Sequence, residues 1–227
     1  MANAPKLFDC SVDTELLTGM RLAKVALQRG ELAVLPTDTV YGVAANAFDA
    51  SAVAALLAAK GRDRQAPPPV LIPSAATMAG LATDVPEVAQ KLAQAFWPGA
   101  LTMILHAQPS LAWDLGETRG TVALRVPDHK IALALLEETG PLAVSSANLT
   151  GQPAATTCEQ AAEYLGNSVA TYLNAGPSPK GEASTILDLT SVAVNADGEP
   201  TGKVRIVRQG ALTRAQISLI AGDLLED

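Results

Sequence analysis

Residues 36–42 read Pro-Thr-Asp-Thr-Val-Tyr-Gly, placing two hydroxyls, a carboxylate and a phenol within six positions after a short apolar stretch. At a strand end such a run supplies hydrogen-bonding groups where open α/β sheets bind ligands. It also makes a sound turn, because Pro and Asp are turn formers and Gly42 tolerates positive φ. Residues 60–64, Lys-Gly-Arg-Asp-Arg, set three cations in five positions of a chain that has 16 Lys and Arg in all. The helix dipole favours cations at a helix end, so these residues are either a solvated C-terminus or a clamp for a polyphosphate. In a clamp, Arg gives two-pronged contacts and Lys a point charge. Residues 144–151, Val-Ser-Ser-Ala-Asn-Leu-Thr-Gly, run an apolar strand into small polar side chains. They suit an Asx- or ST-type turn, or a place where a ligand approaches the backbone closely. Residues 183–188, Ala-Ser-Thr-Ile-Leu-Asp, open a strand with small polar groups.

Several catalytic devices are missing. The chain has no GxxxxGK[ST], no GxGxxG opening a helix, no HExxH and no GxSxG. His106 and His129 are the only histidines and fall at a strand end and a helix start. Cys10 and Cys158 lie far apart with no metal-ligand spacing, which reads as two buried free thiols rather than a zinc site or disulfide framework. Chemistry here must then rest on substrates that make their own bonds while the protein supplies placement and positive charge, as phosphoryl or nucleotidyl transfer does.

The elements that must position these residues alternate. Helical spacing predicts helices over 16–28, 50–60, 85–96, 128–138, 157–165 and 213–225, with Asp49 capping the second and Gly30 and Gly61 closing the first two. Short apolar runs predict strands at 32–35, 70–72, 101–105, 121–126, 142–146, 171–173, 185–189 and 204–207, and near Cys10. Strands separated by helices imply an α/β layered fold. Two strands in direct succession, 101–105 and 121–126, make the sheet mixed. Residues 195–202 are the only linker-like stretch, and they suit a hairpin loop equally well. We therefore expect one domain over 1–227, with a core at about 15–190 and a final strand and helix in 191–227.

Composition bounds the function. Of the residues 48% are hydrophobic and 17% charged, and 16 cations against 23 acids give a net charge of −7. That is ample core material and excludes whole-chain disorder. The acid excess argues against a protein that grips nucleic-acid phosphates. No signal-type N-terminus and no apolar run of bilayer length stand in the sequence, so a cytoplasmic protein is expected.

Taken together and in order, residues 36–42, Lys60-Gly61-Arg62, Trp97-Pro98-Gly99, Arg125-Val126-Pro127, Ser145-Ser146-Ala147-Asn148, Ser184-Thr185-Ile186 with Asp188, and Arg208-Gln209-Gly210 resemble the YrdC-like threonylcarbamoyl-AMP synthases. The resemblance implies an α/β fold, a single twisted mixed sheet flanked by helices around a deep, positively lined cavity. It implies an enzyme that makes threonylcarbamoyl-AMP and pyrophosphate from L-threonine, bicarbonate and ATP, with Mg²⁺ accompanying the nucleotide and its protein ligands unassigned. The product would pass to a threonylcarbamoyl-transferase that modifies adenosine 37 of tRNA, so direct tRNA binding should be weak or absent.

Position by position, Lys60 and Arg62 resemble the catalytic cations on the nucleotide phosphates. Thr121, Ser146, Asn148 and Arg208 match further ATP contacts. Thr39, Arg125, Ser145 and Ser184 match contacts to threonine, with Arg125 on its carboxylate. This chain departs from the common pattern at Asp63 (usually Pro), Ala66 (usually Asn), Leu71 (usually His) and Ala154 (usually Ser). Arg64, beside the gap, is expected to compensate as a phosphate ligand. Rival readings are an RNA-binding or ribosome-assembly factor, a non-catalytic nucleotide sensor, and a carbamoyl-adenylating module of the hydrogenase-maturation type. The charge opposes the first, and the second is kept open by the departures at Asp63, Ala66 and Leu71. The third normally carries extra zinc-finger-like and acylphosphatase domains, for which 227 residues leave no room.

Overall fold

Helix boundaries fall where side-chain chemistry puts them. In the computed structural model, which describes residues 5–195 and 199–226, the chain begins with β1 (Leu7–Asp9), α1 (Asp13–Gln28), β2 (Ala33–Leu35), β3 (Gly42–Asn46), α2 (Ala50–Lys60) and β4 (Val70–Leu71). Next come α3 (Met78–Leu81), α4 (Glu87–Phe96), β5 (Leu101–His106), β6 (Thr121–Arg125), α5 (Lys130–Thr139), β7 (Leu142–Ser146) and α6 (Cys158–Leu165). The remainder is β8 (Thr171–Asn174), β9 (Thr185–Asp188), β10 (Ala193–Val194), β11 (Pro200–Thr201), β12 (Arg205–Arg208) and α7 (Arg214–Ala221).

Asp49 accepts from the N–H groups of Ser51 and Ala52 to start α2, and Gly61 ends it in the left-handed conformation, as its sequence predicts. Capping boxes, Thr157 with Gln160 and Thr213 with Gln216, fix the starts of α6 and α7. The last helix stops at Ala221, earlier than its apolar spacing suggests, because Gly222 follows. The N-terminal strand ends at Asp9, so Cys10 sits in the turn beyond it and is only half-buried.

Ten strands form one mixed sheet in the order β1-β8-β2-β3-β7-β4-β6-β5-β9-β12. β5 and β6 pair antiparallel, as their direct succession requires. β3 is the strand its own sequence hid. Gly-Val-Ala-Ala-Asn is buried along almost its whole length, so it lacks the apolar–polar alternation that marks a half-exposed strand. The linker-like stretch is a hairpin, with Ala193 opposite Thr201 and Val194 opposite Pro200, and its tip at 196–198 lies outside the described residues.

Three apolar clusters hold the layers together. α1 and α5 cover one side of the β2–β3–β7 region and α2 and α6 the other. Around β5, β6 and β9 the apolar cluster comes from α3, α4 and α7. Leu124, Met103 and Leu187 face that cluster. Alternate residues of the same strands therefore face the opposite way, towards a hollow.

Candidate functional site

That hollow is a cavity of about 330 Å³. Thr121, Ala123 and Arg125 reach it from β6, Thr102 and Ile104 from β5, and Ile186 from β9. The loop joining β2 to β3 forms a wall, since Leu35 pairs with Gly42 and residues 36–41 bridge them. Gly42 also pairs with Ser146, so this loop and the end of β7 lie side by side. A Cβ on Gly42 would come within 2.6 Å of a Val144 methyl, so only glycine permits that approach. At the far rim a Cβ on Gly210 would strike the Ala183 carbonyl at 2.3 Å, which explains the glycine after Arg208-Gln209. Arg62, Arg125 and Arg208 line the cavity and no carboxylate does.

The three guanidiniums are held differently. Arg62 donates from Nη1 to the Ser145 hydroxyl at 3.2 Å. Arg208 grips the start of β9, donating from Nε and Nη2 to the Ser184 carbonyl and from Nη2 to the Ser184 hydroxyl at 3.1 Å. Burial, with Arg125 and Arg62 nearby, pushes the Arg208 pKa down. Arg125 is 6% exposed and committed on three sides. Its Nε donates to the Gly99 carbonyl and its Nη1 to the Thr39 hydroxyl, each at 2.9 Å. Its Nη2 pairs with Asp38 Oδ1. Thr37 completes the wall, its hydroxyl 3.0 Å from that of Thr39.

An adjoining recess of about 420 Å³ is lined by Lys60, Gly61, Asp63, Asn148, Thr150 and Gly151, and shares Arg62, Ala66 and Ser146 with the cavity. Lys60 is 3% exposed. Its ammonium donates to the carbonyl oxygens of Ser146 and Asn148, and lies 3.4 Å from Asn148 Oδ1. Its own carbonyl accepts from the Thr150 N–H. Lys60 thus staples the 146–150 turn to the end of α2 from two points. Desolvation, with Arg62 second, pushes its pKa down to about 8.

Of the sequence-predicted residues, Thr39, Arg62, Thr121, Arg125, Ser145, Ser146, Ser184 and Arg208 meet at the cavity, and Lys60 and Asn148 at the recess. Arg64 reaches neither, which corrects its reading as a phosphate ligand. Its Nη2 donates to both oxygens of Asp114, at 2.8 and 3.0 Å, on the protein surface. An exposed pair of this kind contributes little, because water screens it. Arg64→Ala is therefore expected to leave the KM for a nucleotide within about twofold, and a tenfold rise in steady-state assays would restore Arg64 to the site. Ala66 and Leu71, two of the departures, do border the cavity and make that part of it apolar.

Sequence reasoning missed Asp38 as a holder of Arg125 and missed Thr102, whose hydroxyl lies 2.8 Å from that of Ser184. The remaining reactive groups are poor candidates for nucleophiles or bases. Burial raises the Cys158 thiol to about 12 and the Cys10 thiol to about 11. Tyr41 is fully buried, donating to the Gly176 carbonyl at 2.6 Å and accepting from the Ala175 N–H. His106 lies on the surface against the Thr190 carbonyl. Among the described residues no group of three His, Cys, Asp or Glu side chains could hold a metal, and no helix is long and apolar enough to cross a membrane.

The mixed sheet thus carries a cavity lined by guanidiniums and hydroxyls. The family profile described as "Telomere recombination" matches residues 25–210, and the chain belongs to that Sua5–YciO–YrdC family. A Mycobacterium leprae protein provisionally named threonylcarbamoyl-AMP synthase is 47% identical, with 98% of this chain and 96% of that one aligned. Threonylcarbamoyl-AMP synthase of Bacillus subtilis is 39% identical over 90% of this chain and 57% of its own length. The crystal structure of Pyrococcus abyssi Sua5 complexed with L-threonine superposes with a TM-score of 0.85 at 31% identity, covering 98% of this chain and 62% of that one. This chain thus spans about three fifths of the length of those two relatives.

Proposed function

We propose that this protein is an L-threonylcarbamoyladenylate synthase acting on L-threonine, bicarbonate and ATP. The observation that carries the reading is the joined cavity and recess, where three guanidiniums and the Lys60 ammonium gather among hydroxyls against only Asp38, which holds Arg125, and Asp63, which lines the recess. The names of the relatives above support the same activity.

The threonine amine and bicarbonate combine to a carbamate with loss of water. A carbamate oxygen then attacks the α-phosphorus of ATP, and the bond to pyrophosphate breaks, making the step a nucleotidyl transfer. Negative charge on the phosphate oxygens and the leaving pyrophosphate falls to Arg62 and Arg208, preorganised donors at the junction and the rim. Thr121, Ser146 and Asn148 border the nucleotide. Arg125 directs its unused N–H groups to the amino acid's carboxylate, with Thr39, Ser145 and Ser184 alongside. Lys60 contributes by fixing the 146–150 turn as well as by charge. Among the described residues no cluster of His, Cys, Asp or Glu would hold a metal, so a Mg²⁺ accompanying the nucleotide would supply positive charge without a carboxylate cluster from the protein. The mixed anhydride product is labile, and a threonylcarbamoyl-transferase acting on tRNA is its consumer. Pyrophosphate release from ATP should require both threonine and bicarbonate and fall to background when either is omitted. Equal release without threonine would overturn the reading.

A further inference from the structure

Asp38 is almost fully buried and does more than neutralise Arg125. Its Oδ1 takes Arg125 Nη2 and the Asp128 N–H at 3.0 Å, and its Oδ2 lies 3.4 Å from Lys180 Nζ. Lys180 belongs to the segment between β8 and β9, is 42% exposed and does not line the cavity. That segment is tied down on both sides of it. Tyr41 binds the backbone of Ala175 and Gly176, the Ser178 N–H donates to the Thr156 carbonyl, and Arg208 grips Ser184.

Two cations thus share one carboxylate, and the sum decides the character of the inner wall. Asp38 with Arg125 alone is neutral. Adding Lys180 leaves one positive charge. His129, which feels Asp38 together with Lys130 and Asp128, is held below its ordinary pKa chiefly by burial.

We propose that Lys180 is a positioning residue that acts through Asp38, leaving Arg125 with net positive charge for a substrate carboxylate. This deepens the functional reading above and rests on it for the identity of the ligand. Lys180 touches no substrate. It works because Asp38 cannot fully compensate two cations, and one added unit charge near a half-buried site changes anion affinity by roughly tenfold.

The test compares wild type, Lys180→Gln and Lys180→Arg by titration calorimetry with L-threonine and with L-threoninol, which lacks the carboxylate. Lys180→Gln should weaken L-threonine about tenfold while leaving L-threoninol within about twofold, and Lys180→Arg should restore the acid. Equal losses for both ligands would make Lys180 a mere loop support and overturn the proposal, as would no loss for either. A second arm needs no ligand. Proton NMR of the two histidines should show the His129 pKa rising in Lys180→Gln, since Asp38 then faces one cation fewer, and unchanged in Lys180→Arg. An unmoved His129 overturns the charge arrangement. Wild-type protein that takes up no L-threonine while His129 moves as stated overturns the functional reading instead.

Discussion

Asp38→Ala is expected to destabilise the protein by about 3–5 kcal/mol, the cost of stranding a buried charge when one partner of a buried pair is removed. At about 2–4 °C per kcal/mol for a domain of this size, the melting temperature should fall by roughly 6–20 °C. The reason is geometric. Arg125 is 6% exposed and cannot swing into water without leaving the Gly99 carbonyl and the Thr39 hydroxyl. Asp38 also holds the Asp128 N–H ahead of α5, so the same deletion loosens that helix's entry. Coulomb attraction alone would not justify this magnitude, because desolvating both ions offsets most of it. The asymmetry between breaking a pair and deleting it does. The double variant Asp38→Ala with Arg125→Met should consequently be more stable than Asp38→Ala alone. Guanidinium chloride unfolding measures both, and a loss below about 1 kcal/mol for Asp38→Ala would show that water reaches Arg125.

Much of the scaffold was legible because its punctuation is local. α2 announces itself through Asp49 and Gly61, and β7 starts and ends at the residues its apolar run suggests. Elements were misread where the local signal is silent. β3 carries no alternation because both of its faces are buried, and its alanines favour no strand. The turn at Cys10 is closed locally, with Asp9 accepting from the Ser11 and Val12 N–H groups, while the Cys10 N–H reaches the distant Asn174 carbonyl.

The site divides in the same way. Polar runs at strand ends marked Thr39, Ser145, Ser146 and Ser184, because small polar groups there have few other uses. Their convergence with Arg125 and Arg208 depends on strand order, which the resemblance implied and composition could not. Arg64 was misplaced because proximity in sequence to Arg62 says nothing of Asp114, fifty residues on. Lys180 went unnoticed in a stretch of Gly, Pro and Ser that resembles any surface loop. The −7 charge pointed away from phosphate binding, yet a whole-chain sum cannot register three arginines facing one cavity free of carboxylates.

Arg62→Ala and Arg208→Ala carry the largest expected loss of activity, and their signature is the reverse of Asp38→Ala. Removing one preorganised donor to charge that develops in a transition state typically costs about 100- to 1,000-fold in kcat. Arg62 lines both the cavity and the recess and Arg208 lines the cavity, so under the proposed function each is placed to meet the polyphosphate. Arg62→Lys should recover only part of the loss, since an ammonium keeps the charge and forfeits the planar fork. Neither substitution should cost much stability. Arg62→Ala gives up one long hydrogen bond to the Ser145 hydroxyl. Arg208→Ala gives up three bonds to Ser184, offset by relief of the burial and the cationic neighbours that burden Arg208 in the free protein. The melting temperature should therefore stay within about 4 °C of wild type. Single-turnover pyrophosphate release and thermal unfolding measured on the same preparations separate the two effects. A variant that keeps wild-type turnover would remove that arginine from the chemistry, and one that loses both turnover and stability would make it a structural support like Asp38.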